Sequence, residues 1–224
     1  MAKRPVPRSF ELTTTDRWFI GWWTVNLLVF LHVVLFHPPL WVTYAYNGLL
    51  YAIGGVLSYY NGTVRSIFIL ATVAGIVELG ADYYLVEFTG TLVYPQSLPM
   101  VLGSPLYMPL AWAIVTTHMG YLGVRLNEIY GPKAAVAVPS LVAVGLVGFY
   151  ETGAYFAGIW QYVDAPFLMI GHVPLYIVVA EGVIFATLHR FVRLRRPILG
   201  GIGFGLVITV SFVGSYLLLA AIGT

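Results

Sequence analysis

The sequence predicts an all-α integral membrane protein, a seven-helix transmembrane bundle with a cytoplasmic N-terminus and a C-terminus outside. Three observations predict it. Of the 224 residues, 59% are hydrophobic and only 9% are charged, where a soluble domain carries roughly a quarter charged residues. Seven stretches are apolar enough, and near enough to the roughly 20 residues that cross a bilayer, to be spans. Lys and Arg fall on one side of those stretches only.

The stretches run Trp18–Phe36, Trp41–Tyr60, Ser66–Phe88, Pro105–Leu126, Lys133–Gly158, Val173–Phe191 and Ile198–Ile222. They are continuously apolar, which favours helices over barrel strands, where apolar and polar residues alternate over about ten positions. The first follows a basic segment, as a signal peptide does, but it is longer and has no small-residue cleavage site, so it reads as a retained span. Residues 1–224 form one domain, with a short basic segment at 1–17.

The eleven Lys and Arg residues set the orientation. Lys3, Arg4, Arg8 and Arg17 precede the first stretch and Arg65 follows the second; Arg125 and Lys133 flank the loop after the fourth, and Arg190, Arg193, Arg195 and Arg196 follow the sixth. The positive-inside rule puts that side in the cytoplasm of a multi-pass protein of the cell membrane. The net charge of +2 then has a topological origin, and no nucleic-acid partner is indicated. The absence of Cys excludes disulfides, thiolate metal sites and cysteine nucleophiles. No histidine pair has zinc-ligand spacing, so neither a metal nor another cofactor is expected. On the opposite side, two loops free of basic residues, Thr89–Ser104 and Ile159–His172, are rich in Tyr, Trp and Pro and read as interfacial lids.

The third and fourth stretches resemble the fifth and sixth. Glu78, Gly80 and Ala81 match Glu151, Gly153 and Ala154, and Pro105, Leu106 and Tyr107 match Pro174, Leu175 and Tyr176. Both units enter from the same side, so the repeat is parallel, with its cavity expected at the interface between the units.

Chemistry is carried by acids within the spans. A charge at the bilayer centre costs from about 2.5 to over 10 kcal/mol, which makes an intramembrane acid a functional candidate by default. Four qualify: Glu78, Asp82, Glu151 and Glu181, at overlapping depths. Glu78 and Asp82 share a helical face, as do Glu151 and Tyr155. No Lys or Arg lies at that depth, so some of these acids are expected to hold protons. His32, His118 and His172 are possible partners. Tyr83, Tyr94, Tyr107, Trp112, Tyr155, Trp160, Tyr162, His172 and Tyr176 cluster with the acids or the lids and are candidate substrate contacts. Glu87 and Asp164 lie at the outer boundary, where water reaches them. The last stretch, with Gly200, Gly201, Gly203 and Gly205, reads as a packing element, since small residues allow close helix approach.

Glu78 and Gly80, Thr89-Gly90, Tyr94, the run from Gly103 to Trp112, Gly158 to Tyr162 and Gly171 to Pro174 together resemble the integral-membrane carotenoid biosynthesis family that includes the bisanhydrobacterioruberin-type hydratases. The resemblance covers about half the chain, Glu78 to Glu181. It implies an isoprenoid-like ligand whose alkene is protonated by a carboxylic acid, with the cation stabilised by aromatic faces. Water or an internal double bond then quenches that cation, giving a hydratase, cyclase or isomerase. Glu78 and Asp82 would be the acid pair, Glu151 and Glu181 would orient water or act as base, and Tyr83, Trp112, Tyr155 and Trp160 would line the site. Two other functions fit the same residues. A proton- or cation-coupled carrier would need a polar path to the cytoplasm, hinted at by Asn26, Asn47 and His118, and a non-catalytic subunit of a membrane complex would need none.

Overall fold

The computed structural model describes residues 11–95 and 99–223; Lys3, Arg4 and Arg8, part of the charge asymmetry, lie outside them. Seven α-helices account for most of the described residues: α1 Thr14–Phe36, α2 Trp41–Tyr60, α3 Gly62–Tyr83, α4 Met108–Tyr130, α5 Pro132–Ala157, α6 Leu175–Val192 and α7 Pro197–Gly223. Local chemistry explains several of the ends. Thr13 caps α1 in a reciprocal box with Asp16, and Asn61 caps α3 by accepting from the amides of Thr63 and Val64. Pro occupies the first turn of α4 and of α5, where its missing N–H costs nothing. α3 does not stop at Tyr83 but widens into a π-helical turn, Tyr84–Phe88.

Five helices pack as a closed ring in the order α3, α4, α5, α6, α7 and back to α3, while α1 and α2 lie outside it against α5, α4 and α3. The glycines of α7 make its contacts close. A Cβ at Gly201 would stand 2.5 Å from the Leu70 carbonyl oxygen, and one at Gly205 would stand 2.5 Å from Val77 Cβ, so the α3–α7 seam tolerates only hydrogen at these positions.

By length and composition, α1, α3 with its π-helical extension, α5, α6 and α7 can each cross a membrane. Their outward faces carry the apolar surface of a multi-pass membrane protein, with Leu28, Leu35, Leu141 and Val210 all exposed. α2 and α4 are less apolar for separate reasons. α2 carries five tyrosines, and α4 is largely buried between its neighbours, so it needs little lipid-facing surface.

The two lids are built alike. β1 (Leu92–Val93) of the first pairs antiparallel with β4 (Gln161–Tyr162) of the second, and the Thr91 carbonyl accepts from the Val163 amide. Each lid then folds a hairpin: β2 (Met100–Val101) with β3 (Ser104–Pro105), and β5 (Met169–Ile170) with β6 (Val173–Pro174). Met faces Pro in both registers. Leu102 and Gly103 of the first turn have φ of 50° and 78°, the left-handed pair that a two-residue hairpin of the primed type requires. These hairpins correct the expected starts of α4 and α6. Pro105, Val173 and Pro174 are strand residues, and the helices begin just beyond them.

Candidate functional site

Glu78 and Asp82 stand one turn apart on α3, Glu151 near the end of α5 and Glu181 in the second turn of α6. All four side chains line one small chamber of about 40 Å³ beneath the joined lids. α4 contributes Met108 and Trp112, the lids contribute Leu92, Tyr94, Trp160 and Tyr162, and α7 contributes Phe212. Met108, Trp112, Glu151, Trp160 and Glu181 also line a second, mostly apolar cavity of about 200 Å³ between α4, α5 and the α1–α2 pair. The polar chamber and the apolar cavity therefore share a wall that includes two of the acids.

The acids differ in their partners. Asp82 Oδ2 accepts from the Tyr94 hydroxyl at 2.8 Å and from the Ser104 hydroxyl at 2.5 Å. Glu151 Oε2 accepts from the Trp160 indole N–H at 2.5 Å. Glu78 is 1% exposed, and neither of its carboxyl oxygens has a hydrogen-bond partner among the described residues. It faces Asp82, Glu181 and Trp112 closely enough to interact electrostatically. Glu151 and Glu181 keep accessible surface, and the walls they form are those of the two cavities. Among the described residues no ion pair involves these four acids, and no cluster of three or more His, Asp or Glu could hold a metal ion.

The aromatic candidates divide. Tyr94, Trp112, Trp160 and Tyr162 line the small chamber, and Tyr107 lines the large cavity. Tyr176 is fully buried but sits behind the chamber, with its hydroxyl 3.1 Å from that of Thr91. Tyr83 and Tyr155 are corrections. Both are about two-fifths exposed on outer faces, where Tyr83 packs on Phe88, and Tyr155 stacks on His172 at 3.7 Å. For Tyr83, one residue beyond Asp82, the cause is helical phase; Tyr155 shares the face of Glu151 but lies a turn nearer the end of α5, where its ring stacks on His172 instead of lining the chamber. None of the three histidines reaches an acid. His172 stays with Tyr155, His32 Nδ1 lies 3.3 Å from the Tyr46 hydroxyl, and His118 Nδ1 bonds the Ile114 carbonyl. Glu87 and Asp164 are exposed.

Three contributors escaped the sequence reading. Ser104 reaches Asp82 only because the β2–β3 hairpin folds it back; its counterpart at the same register of the second hairpin is Val173. Tyr46 and Tyr150 line the large cavity; the position of Tyr150, next to Glu151, was the available signal. Asn26, Asn47 and His118, read as hints of an inward path, all line the large cavity.

Residues 79–219 match the family described as a domain of unknown function, DUF6989. No curated protein and no solved structure matches the chain. The match covers more than half of the sequence, and the chain belongs to this family. It takes in Asp82, Glu151 and Glu181, begins one residue after Glu78, and leaves α1 and α2 outside.

Proposed function

We propose that this member of the DUF6989 family is a membrane-embedded enzyme that transfers a proton from a carboxylic acid to an alkene of an isoprenoid- or carotenoid-type lipid. The observation that carries the reading is the shared wall: four carboxyl groups from three helices surround one small chamber, and the adjoining cavity is apolar. An acid without a cation beside it in such surroundings holds its proton, since burying an unpaired charge costs far more than burying a neutral group. Glu78, whose carboxyl oxygens make no hydrogen bond among the described residues, is the best-suited donor. Its O–H bond breaks as the alkene π pair forms a C–H bond. The carbocation left on the neighbouring carbon faces Trp112 and Trp160, whose ring faces stabilise positive charge. In hydration, a water oriented by Glu151 or Glu181 forms the C–O bond, and its surplus proton passes to the carboxylate that Glu78 has become. In cyclisation, a second double bond attacks instead, and the new cation loses a C–H proton to that same carboxylate. Asp82, held by Tyr94 and Ser104 one turn from Glu78, can relay a proton to it.

The reading includes seven spans, a cytoplasmic N-terminus and an extracytoplasmic C-terminus. α2 and α4, at 20 and 23 residues, have the length to cross. All described Lys and Arg residues fall at helix ends or turns away from the lids, in line with a cytoplasmic face there. It also includes a parallel duplication of α3–α4 and α5–α6, supported by the common order of helix, short strand, hairpin and helix, and by the β1–β4 pairing between the units. The resemblance to carotenoid hydratases supports the substrate class.

A carrier is the second reading, favoured by the placing of Asn26, Asn47 and His118 on the same cavity as Glu151 and Glu181. One experiment separates the two. Lipid copurifying with the wild type and with Glu78→Gln and Glu151→Gln is identified by mass spectrometry. An isoprenoid that accumulates unmodified in the variants supports the enzyme. Ion-driven uptake into proteoliposomes, lost in the same variants, would replace it with the carrier.

A further inference from the structure

His118 gives the large cavity a chemical preference. It lies on α4, 2% exposed, with its ring packed against Trp22 at 4.0 Å and near Trp23 and Phe19. Its Nδ1 lies 2.8 Å from the Ile114 carbonyl oxygen. A carbonyl only accepts, so Nδ1 carries the proton, and Nε2 of the neutral ring is left as a bare acceptor. Nε2 has no partner among the described residues. A buried acceptor left unpaired costs about 1–3 kcal/mol, and its residue, His118, lines the large cavity together with Asn26 and Asn47. The Asn47 amide N–H₂ is used on the Thr43 carbonyl, which leaves its oxygen as a further acceptor.

From this we infer that the large cavity seats an apolar alcohol whose hydroxyl donates to His118 Nε2. An ether or a ketone of the same shape has no proton to offer. Size bounds the apolar part. A dry cavity of 150 Å³ accepts benzene, so about 200 Å³ takes an apolar group of roughly eight to ten carbons. Length agrees with the acids. Trp112, on the wall shared with the chamber, stands six residues before His118 on α4, about 9 Å at 1.5 Å per residue. A ten-carbon isoprenoid alcohol spans about 9 Å from its oxygen to its distal double bond, at roughly 1.25 Å per bond. With the hydroxyl on His118, that double bond reaches the level of Trp112, which lines both cavities as Glu151 and Glu181 do. The inference rests on the proposed enzymatic reading only for what happens after binding.

Trp23, Trp112 and Trp160 line the cavity, so quenching of tryptophan emission reports occupancy. The purified protein is titrated with geraniol, with its methyl ether and with the twenty-carbon alcohol geranylgeraniol. Geraniol is expected to bind about tenfold more tightly than the ether. That preference should vanish in His118→Phe, shrink in Asn26→Leu and survive in Glu78→Gln. Equal binding of alcohol and ether by the wild type overturns the proposal, and this comparison needs no variant to fold. A preference that survives in a folded His118→Phe also overturns it. Binding of geranylgeraniol as tight as that of geraniol identifies the ligand as the hydroxylated end of a longer lipid, and binding of geraniol alone identifies a short free alcohol; both support the seat. Intact alcohol preference together with unaltered lipid turnover in Glu78→Gln would remove the reaction and leave the seat standing.

Discussion

Two buried carboxyl sites at opposite ends of the molecule are built on contrary terms. Asp16, at the start of α1, accepts from the Thr13 amide and hydroxyl, from the Tyr121 hydroxyl at 2.7 Å, and from Arg125 Nε at 2.8 Å and Nη2 at 2.9 Å. Glu128 adds a second carboxylate to the same Arg125. Glu78, beneath the lids, has among the described residues no cation beside it, and neither of its carboxyl oxygens makes a hydrogen bond. The first carboxylate is saturated and ties α1 to α4 beside the ring contacts of Phe19 and Trp22 with Tyr121 and His118. The second has capacity to spare and faces a chamber. A carboxylate with its partners in place stabilises the fold, whereas one without them costs stability and is retained for another reason.

That contrast can be broken by substitution, and the largest effect is expected at the unpartnered acid. Glu78→Gln removes the proposed proton donor and should lower lipid turnover at least about 100-fold, the lower bound for general acid catalysis. Its thermal midpoint should hold or rise, because a neutral amide replaces an acid with no partner. A midpoint several degrees lower would make Glu78 a structural residue after all. Asp16→Ala should do the reverse. It leaves Arg125 with Glu128 alone and should cost about 2–3 kcal/mol, below the 3–5 of breaking a fully buried pair, because Arg125 keeps that second carboxylate and a fifth of its side chain exposed. Thermal unfolding in detergent measures that loss, and turnover per folded molecule should not change.

Trp160→Phe tests the intermediate case, since Glu151 has one firm donor. The ring stays and the indole N–H goes, so a several-fold fall in turnover is expected, on the order of 1 kcal/mol for one hydrogen bond. An unchanged rate would show that Glu151 needs no orienting. The smallest effects belong to Tyr83→Phe and Tyr155→Phe, whose rings lie on outer faces. Both should leave turnover within twofold, and a tenfold loss in either would mean that the chamber extends beyond the walls described.

Much of this was legible before any coordinates. Helix positions followed from runs of apolar residues; α4 and α6 start later because Pro105 and Pro174 join hairpins, while α1 and α3 start a turn earlier and α4 ends a turn later, because their capping and terminal turns are polar. Glu78 and Asp82 on one face followed from their spacing, and Gly201 and Gly205 announced a close seam. Tyr83 misled because closeness in sequence to Asp82 is not closeness in phase around a helix, and Tyr155 because it shares the face of Glu151 but lies a turn beyond it, against His172. Ser104 was invisible because its hydroxyl meets Asp82 through a turn, and the Asp16–Arg125 pair because 109 positions separate its members.

The sequence by itself determined the helical class, the apolar solvent it suits and which residues carry charge where charge is expensive. Those properties are sums over neighbouring residues, and a local pattern suffices to state them. Only the tertiary structure decided that Glu78, Asp82, Glu151 and Glu181 meet around one chamber, that the lids join through β1 and β4, and that His118 keeps a free acceptor on the wall of an apolar cavity. Each of these depends on how helices distant in the chain are rotated and seated against one another, a choice made by packing across the whole bundle.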